Sequence, residues 1–179
     1  MNGLDSFLKK GGAIFIIPIL NPDGYERDQR GNSSGKDVNR DFPLPFANFS
    51  GKSQAETKML IDYIDTTLLV DEQRLLLTLD YHCCADSLLM PRAYSNDPIA
   101  PAELRKHNVV GALFKSAFPA RYRYLSWKKS LGYYATGTSQ DFYQEVYGSL
   151  SFTFEGQRYI ENRNLSRHAA LWNSIFQEL

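Results

Sequence analysis

Residues 13–20, Ala-Ile-Phe-Ile-Ile-Pro-Ile-Leu, carry no charge and no hydrogen-bonding side chain. A run of strand length with no polar face needs cover on both sides, the pattern of a strand in a parallel or mixed α/β sheet. Residues 75–81 repeat it in a mostly apolar form, and 88–92 read as a further short strand. Two runs of this kind separated by a helical pattern favour a single α/β unit.

The helices follow from spacing and punctuation. Residues 5–10 read as a helix end stopped by Gly11-Gly12, since glycine is the usual residue just past a helix C-terminus. Ser53-Gln54-Ala55-Glu56 has the form of a capping box. Met59, Leu60, Tyr63, Ile64, Thr67 and Leu68 then line one stripe, giving a helix over 53–69. Leu104, Val109, Val110, Leu113 and Phe114 place another helix over 102–118, ended near Pro119. Residues 122–127 are strand-like, 128–138 a loop and 141–147 a short helix. Over 149–155 the residues alternate, with Leu150, Phe152 and Phe154 on one face and Ser151, Thr153 and Glu155 on the other. A closing helix from about 165 to the end presents Leu165, Trp172, Ile175, Phe176 and Leu179.

Composition excludes several classes. Acidic and basic residues balance at 20 each, so no net field argues for nucleic acid or a membrane surface as partner. No apolar run reaches the roughly 18 residues of a membrane-spanning helix. Residues 1–10 lack the basic and apolar regions of a secretory signal. The two cysteines, Cys83 and Cys84, are adjacent, and a bond between neighbours is strained and rarely a structural staple.

Chemistry is concentrated where strands run out, the place where open α/β sheets bind ligands. Asn21-Pro22-Asp23-Gly24-Tyr25 follows the first apolar run and leads through Arg30 and Gly35-Lys36-Asp37-Val38-Asn39-Arg40 to Phe42-Pro43. Its turn formers put several charged and amide side chains on one loop. His82 and Glu155 close two other strands. A lone histidine there is more often a hydrogen-bonded structural residue than a ligand. A glutamate is most often solvated or paired, and the loop charges can be a solvated set of ion pairs. Against that stand Asp80 and Glu155, acids in segments suited to burial, where a carboxylate is costly unless paired or metal-bound.

Four ordered blocks together resemble the zinc carboxypeptidases of the funnelin type. They are Asn-Pro-Asp-Gly at 21–24, Gly-x-Asp-x-Asn-Arg-x-Phe at 35–42, the strand ending in His82 with Pro91 beyond it, and Tyr133-x-x-x-Gly137-x-x-x-Asp141 followed by Ser-Phe-Thr-Phe-Glu at 151–155. The resemblance implies an α/β fold with a mixed, mostly parallel central sheet flanked by helices, as one catalytic domain over 1–179 whose N-terminal part is missing. It implies hydrolysis of a C-terminal residue from a peptide or peptidoglycan stem. His82 resembles the zinc ligand of the central sheet and Glu155 the general base. Asn39 and Arg40 resemble the clamp for a terminal carboxylate. Arg30, or alternatively Arg27, resembles the oxyanion cation. Tyr133, or Tyr134 one register on, resembles the tyrosine that folds over substrate, and Asp37 a carboxylate that orients another zinc histidine. The Cys83 peptide is expected to be cis.

The chain also departs from that pattern. An upstream His-x-x-Glu, which brings two more zinc ligands, is absent: no histidine precedes His82, and neither His107 nor His168 has a glutamate three residues on. The expectation is therefore weak or absent zinc and negligible activity here, from a fragment of a longer peptidase or a product that has lost its metal site. A non-catalytic module that binds peptide carboxylates is the alternative. Gln140 resembles the pocket-base residue of the regulatory branch, which prefers basic terminal residues with help from an acid two positions after the proline. Here that position is Ala93, after Arg92, so a Lys or Arg preference does not carry over and Arg92 suits acidic side chains. Apolar surface and open sheet edges imply self-association. The compartment leans to secreted or periplasmic for the full-length protein.

Overall fold

The computed structural model describes residues 2–70, 73–118, 123–156 and 162–179. The chain starts with helix α1 (Gly3–Lys9), capped by the Asn2 side chain, which accepts from Asp5 N at 2.8 Å. It stops where expected: Gly11 turns left-handed, at φ +89°. Helix α2 (Pro22–Glu26) opens the long loop, and helix α3 (Ala55–Tyr63) follows it, extended by a π-helical turn, Ile64–Leu68. Strands β1 (Leu77–Cys83) and β2 (Ser87–Met90), helix α4 (Pro101–Ala117), strand β3 (Arg123–Ser126) and helices α5 (Trp127–Leu131) and α6 (Ser139–Tyr147) come next. Strand β4 (Leu150–Gly156) and helix α7 (Asn162–Glu178) end the chain.

The four strands form one sheet in the order β1-β4-β2-β3. β1 runs parallel to β4, in register from Leu77 opposite Leu150 to Cys83 opposite Gly156. β2 is parallel to β3 and antiparallel to β4, so the sheet is mixed. One face is apolar: Leu88, Phe152 and Phe154 pack under Val110, Phe114 and Phe118 and under Leu171 and Ile175 of α7. Burying one such aromatic side chain stabilises the fold by about 1.5–3 kcal/mol. α1 rides on the outside of α7, with Phe7 and Phe176 ring centroids 5.1 Å apart.

Several expectations are corrected. Residues 13–20 are not a strand, and Ile14, Phe15, Ile16, Ile17 and Ile19 stand exposed. A ladder defines a strand, and none of the described residues supplies one to this segment. Asp41, rather than a Ser53–Glu56 box, caps α3. Its Oδ1 accepts from Ser53 N at 3.0 Å and its Oδ2 from Gln54 N at 2.9 Å, while Glu56 Oε2 accepts from Asn32 Nδ2 at 3.2 Å. Inside α3, Ile61 is buried and Met59 and Tyr63 are not, because the helix turns its Leu60–Ile61–Ile64 side to Phe42 and Phe142. In α4 His107 is buried beside Val110 and Phe114, while Val109 is exposed. In α7 Leu171 is buried and Leu165 exposed. Residues 128–131, expected as loop, are helix together with Trp127, expected as the end of a strand. The expected strand start at Tyr122 and helix stop at Pro119 lie outside the described residues. β4 is buried on both faces from Ser151 onward: it is a central strand, and α6 covers the face its polar residues occupy. Cys83 and Cys84 form a disulfide, against the expectation from adjacency, and the peptide between them is cis, as expected.

Candidate substrate and metal site

Strand periodicity builds the floor of the site. Thr78, Asp80 and His82 of β1 share one face with their β4 partners Ser151, Thr153 and Glu155. Thr78 Oγ1 donates to Ser151 Oγ at 2.8 Å, and at the next step Ser139 Oγ, at the start of α6, donates to Asp80 Oδ2 at 2.5 Å. His82 Nε2 lies 3.0 Å from the same Asp80 oxygen and 3.2 Å from Asn39 Nδ2. One ring nitrogen cannot both donate to a carboxylate and accept from an amide. Charge decides: burial disfavours an imidazolium, but the Asp80 hydrogen bond and charge, with Glu155 beyond, raise the His82 pKa. Burial pushes Asp80 up, and its bonds to His82 and Ser139, with the Arg30 charge, bring it below the ordinary value. Glu155 is raised by burial despite the pull of His82 and Arg30.

The loop above is organised by short polar side chains. Asn21 Oδ1 accepts from Gly24 N at 2.9 Å and its amide donates to Arg30 O at 3.2 Å, closing the turn. Asn32 Oδ1 takes Ser34 N and Lys36 N, each at 3.0 Å. Asp37 then does two things: Oδ1 accepts from Asn39 N at 3.0 Å, and Oδ2 from Arg30 Nε at 2.7 Å. Asp37, expected to orient a histidine, faces Arg30 instead. Ser139 N donates to Asn39 Oδ1 at 2.8 Å, which fixes the amide with its NH2 toward His82.

Arg40 is held from three sides. Its Nη1 donates to Asn39 O at 2.6 Å, its Nη2 to the Tyr133 hydroxyl at 3.3 Å, and its guanidinium stands 5.6 Å over the Trp127 ring. Trp127 is buried among Leu89, Ala93 and Ala135, and Tyr133 meets it edge-on at 6.2 Å. Gly137 brings these parts together: its φ is +78°, and a Cβ there would sit 2.6 Å from Arg40 O. Sequence reasoning missed Ser139 and Trp127, whose roles depend on a helix start and a core position that spacing does not mark.

Other expected residues lie apart. Arg27 ends α2 on the surface, and Tyr134 sits under the Lys128 ammonium at 4.9 Å. Gln140 is fully buried and donates through Nε2 to Met90 O at 3.1 Å. Arg92 Nε is paired with Glu145 Oε1 at 2.5 Å, and Tyr94 donates to the same oxygen at 3.0 Å.

Residues 8–163 match the family model described as zinc carboxypeptidase. The chain belongs to the zinc carboxypeptidase family. Carboxypeptidase D of Anas platyrhynchos is 37% identical over 62 residues, 30% of this chain and 4% of that protein. Carboxypeptidase SOL1 of Arabidopsis thaliana is 39% identical over 54 residues, 28% of this chain and 11% of that protein. Bovine thrombin-activatable fibrinolysis inhibitor, solved with tick carboxypeptidase inhibitor, superposes with a TM-score of 0.70 at 21% identity over 91% of this chain and 68% of its own. Carboxypeptidase A from Helicoverpa armigera gives a TM-score of 0.68 at 19% identity, over 89% of this chain and 49% of its own. The carboxypeptidase fold is thereby shared. This chain spans only a small part of the first two relatives and about half of the last.

A zinc carboxypeptidase implies zinc, and the side chains here do not suit one. Among the described residues no three His, Cys, Asp or Glu side chains converge as a metal site. His82 has Nε2 committed to Asp80. His107 is fully buried, its Nδ1 2.9 Å from Glu103 O. His168 is packed against Tyr81, Phe118 and Phe154. Burial lowers the pKa of both. A structural or catalytic zinc needs three or four converging ligands, more than this set offers.

Proposed function

We propose that this chain is the substrate-recognition part of a metallocarboxypeptidase, holding the C-terminal carboxylate of a peptide or peptidoglycan stem and not turning it over unaided. The observation that carries the reading is Arg40, braced by Asn39 O and Trp127, with Nη2 shared, among the described residues, only with an exposed tyrosine hydroxyl. A planar guanidinium so fixed meets a carboxylate with little loss of freedom. Asn39 presents its amide beside it. Arg30 is assigned to the developing oxyanion and Glu155 to proton transfer from water, roles exercised only in an assembly that brings the further metal ligands. Tyr133 is assigned to closing over the bound terminus. Gln140, fully buried with Oε1 unpartnered among the described residues, is assigned to side-chain selection.

The test is titration calorimetry with N-acetylated peptides bearing either a free or an amidated C-terminus, beside hydrolysis assays with one equivalent of zinc. The free acids are expected to bind and the amides to bind at least tenfold more weakly. Arg40→Ala is expected to weaken the acids about 10- to 150-fold, the equivalent of a charged hydrogen bond worth 1.5–3 kcal/mol. Equal affinity for acid and amide, or an unaffected Arg40→Ala, would overturn the reading.

A further inference from the structure

We propose that Asp80 makes the site selective for peptides ending in lysine or arginine, a preference that rests on the carboxylate clamp proposed above and adds the class of residue it holds. Asn39 Nδ2 stands 3.2 Å from His82 Nε2, and that nitrogen 3.0 Å from Asp80 Oδ2. The Asp80 carboxylate therefore lies no more than two hydrogen-bond lengths from the Asn39 amide. The stem of a lysine or arginine spans that distance while its α-carboxylate stays on Arg40.

Asp80 is walled in and still open. Thr153, its partner across the β1–β4 register, is fully buried, as is Gln140, and Ser139 nearly so. Yet 32% of the Asp80 side-chain surface is exposed. A polar group flanked by buried neighbours and still reached by solvent is the floor of a depression, the setting in which ligand side chains are read. Its Oδ2 accepts from Ser139 Oγ and His82, no described residue donates to Oδ1, and no described lysine or arginine forms an ion pair with it. Arg30, whose charge acts on Asp80, is bound to Asp37 instead.

The neighbouring polar atoms point the same way. Gln140 Oε1 and Thr153 Oγ1 are buried without a hydrogen-bond partner among the described residues, and Thr153 shares the sheet face of Asp80. Unpaired buried acceptors are costly. An ammonium brings three donors and a guanidinium five, with no acceptor. A basic side chain thus supplies charge and donors to a set with acceptors in surplus. An acidic one would add a third carboxylate beside Asp80 and Glu155. Arg92, the residue expected to suit acidic side chains, has its charge taken by Glu145, on whose Oε1 Tyr94 also donates.

Calorimetric titration of the whole chain with N-acetylated tetrapeptides that differ only in the last residue tests this. Arginine and lysine acids are expected to bind about tenfold or more tighter than the norleucine acid, which keeps the stem and lacks the charge. The glutamate acid is expected to bind more weakly still. Asp80→Asn keeps the shape and an acceptor, and is expected to bring the arginine-to-norleucine ratio below about threefold, with circular dichroism reporting its fold. Should that variant not fold, the wild-type series decides alone, its ratio expected to fall as salt rises. Acids preferred over amides with arginine, lysine and norleucine bound alike, or with glutamate bound best, would leave the clamp standing and overturn the selectivity. So would a preference that survives Asp80→Asn. Acid and amide bound alike would overturn the clamp and the selectivity together.

Discussion

Asp141→Asn should remove a pH dependence that burial writes into the fold. Asp141 is completely buried in α6, and both its carboxylate oxygens accept from Ala93 N, at 3.0 and 2.9 Å. Burial raises its pKa to about 7 from 3.8, opposed by the hydrogen bonds from Ala93 and Thr138 and assisted by the charge of Glu145. Between those two values the folded protein keeps a proton that the unfolded chain has lost. The stability Asp141 contributes is therefore fully present below about pH 4 and disappears as pH rises through about 7. Some three pKa units at about 1.4 kcal/mol each correspond to a loss on the order of 4 kcal/mol. An asparagine is neutral throughout and still offers Ala93 N one acceptor. Urea unfolding of both proteins at a series of pH values cancels every other titration in the difference. Asp141→Asn should gain on the wild type steadily from pH 4 to pH 8. A difference that stays flat, or grows in favour of the aspartate at high pH, would refute the reasoning.

Asp41→Ala removes the acceptor of Ser53 N, Ser53 Oγ and Gln54 N, and should cost about 1–3 kcal/mol by thermal unfolding. Burial pushes the Asp41 pKa up but these bonds bring it below the ordinary value, so this contribution is held at neutral pH and lost in acid. Atomic absorption of protein incubated with zinc and desalted should show no stoichiometric metal, and tight one-to-one zinc would contradict the reading of His82. Thiol titration of the denatured chain should find none before reduction and both cysteines after it, whereas two reactive thiols in the untreated protein would exclude the Cys83–Cys84 bond.

Element type was legible wherever a pattern reported burial that the chain itself satisfies. The strands at His82 and Glu155, α4 and α6 came out near their expected bounds because each has its covering partners within the described residues. The segment 13–20 did not, although its pattern is the plainest of all. An apolar run states what surface must be covered, not that cover is present. Stripe assignments erred at Met59, Val109 and Leu165 for a related reason: spacing marks a face, and tertiary packing decides how far the helix is rotated. The loop of the site was legible as chemistry but not as geometry. Asn39 and Arg40 can be named from Gly-x-Asp-x-Asn-Arg, whereas the Ser139–Asp80–His82 chain depends on a parallel register and on where α6 begins.

On the proposed reading, recognition and metal holding are separable in this arrangement. Asn39 is fixed through Oδ1 by Ser139 N and through its backbone N–H by Asp37, and neither bond involves a metal ligand. With His82 donating to Asp80, the Asn39 amide hydrogens aimed at that ring have no acceptor on its Nε2. Arg40 keeps Nη1 on Asn39 O and its face over Trp127 whatever happens at Nη2, so binding exchanges a single exposed partner, the 46% exposed Tyr133, for an anion. A single bond from the guanidinium to a neutral hydroxyl at 3.3 Å is a weak competitor against a carboxylate, which brings an opposite charge and can accept in a bidentate manner. The proposed clamp is therefore preorganised by the loop, the tryptophan and α6, and the carboxylate affinity assigned to it should be indifferent to added zinc.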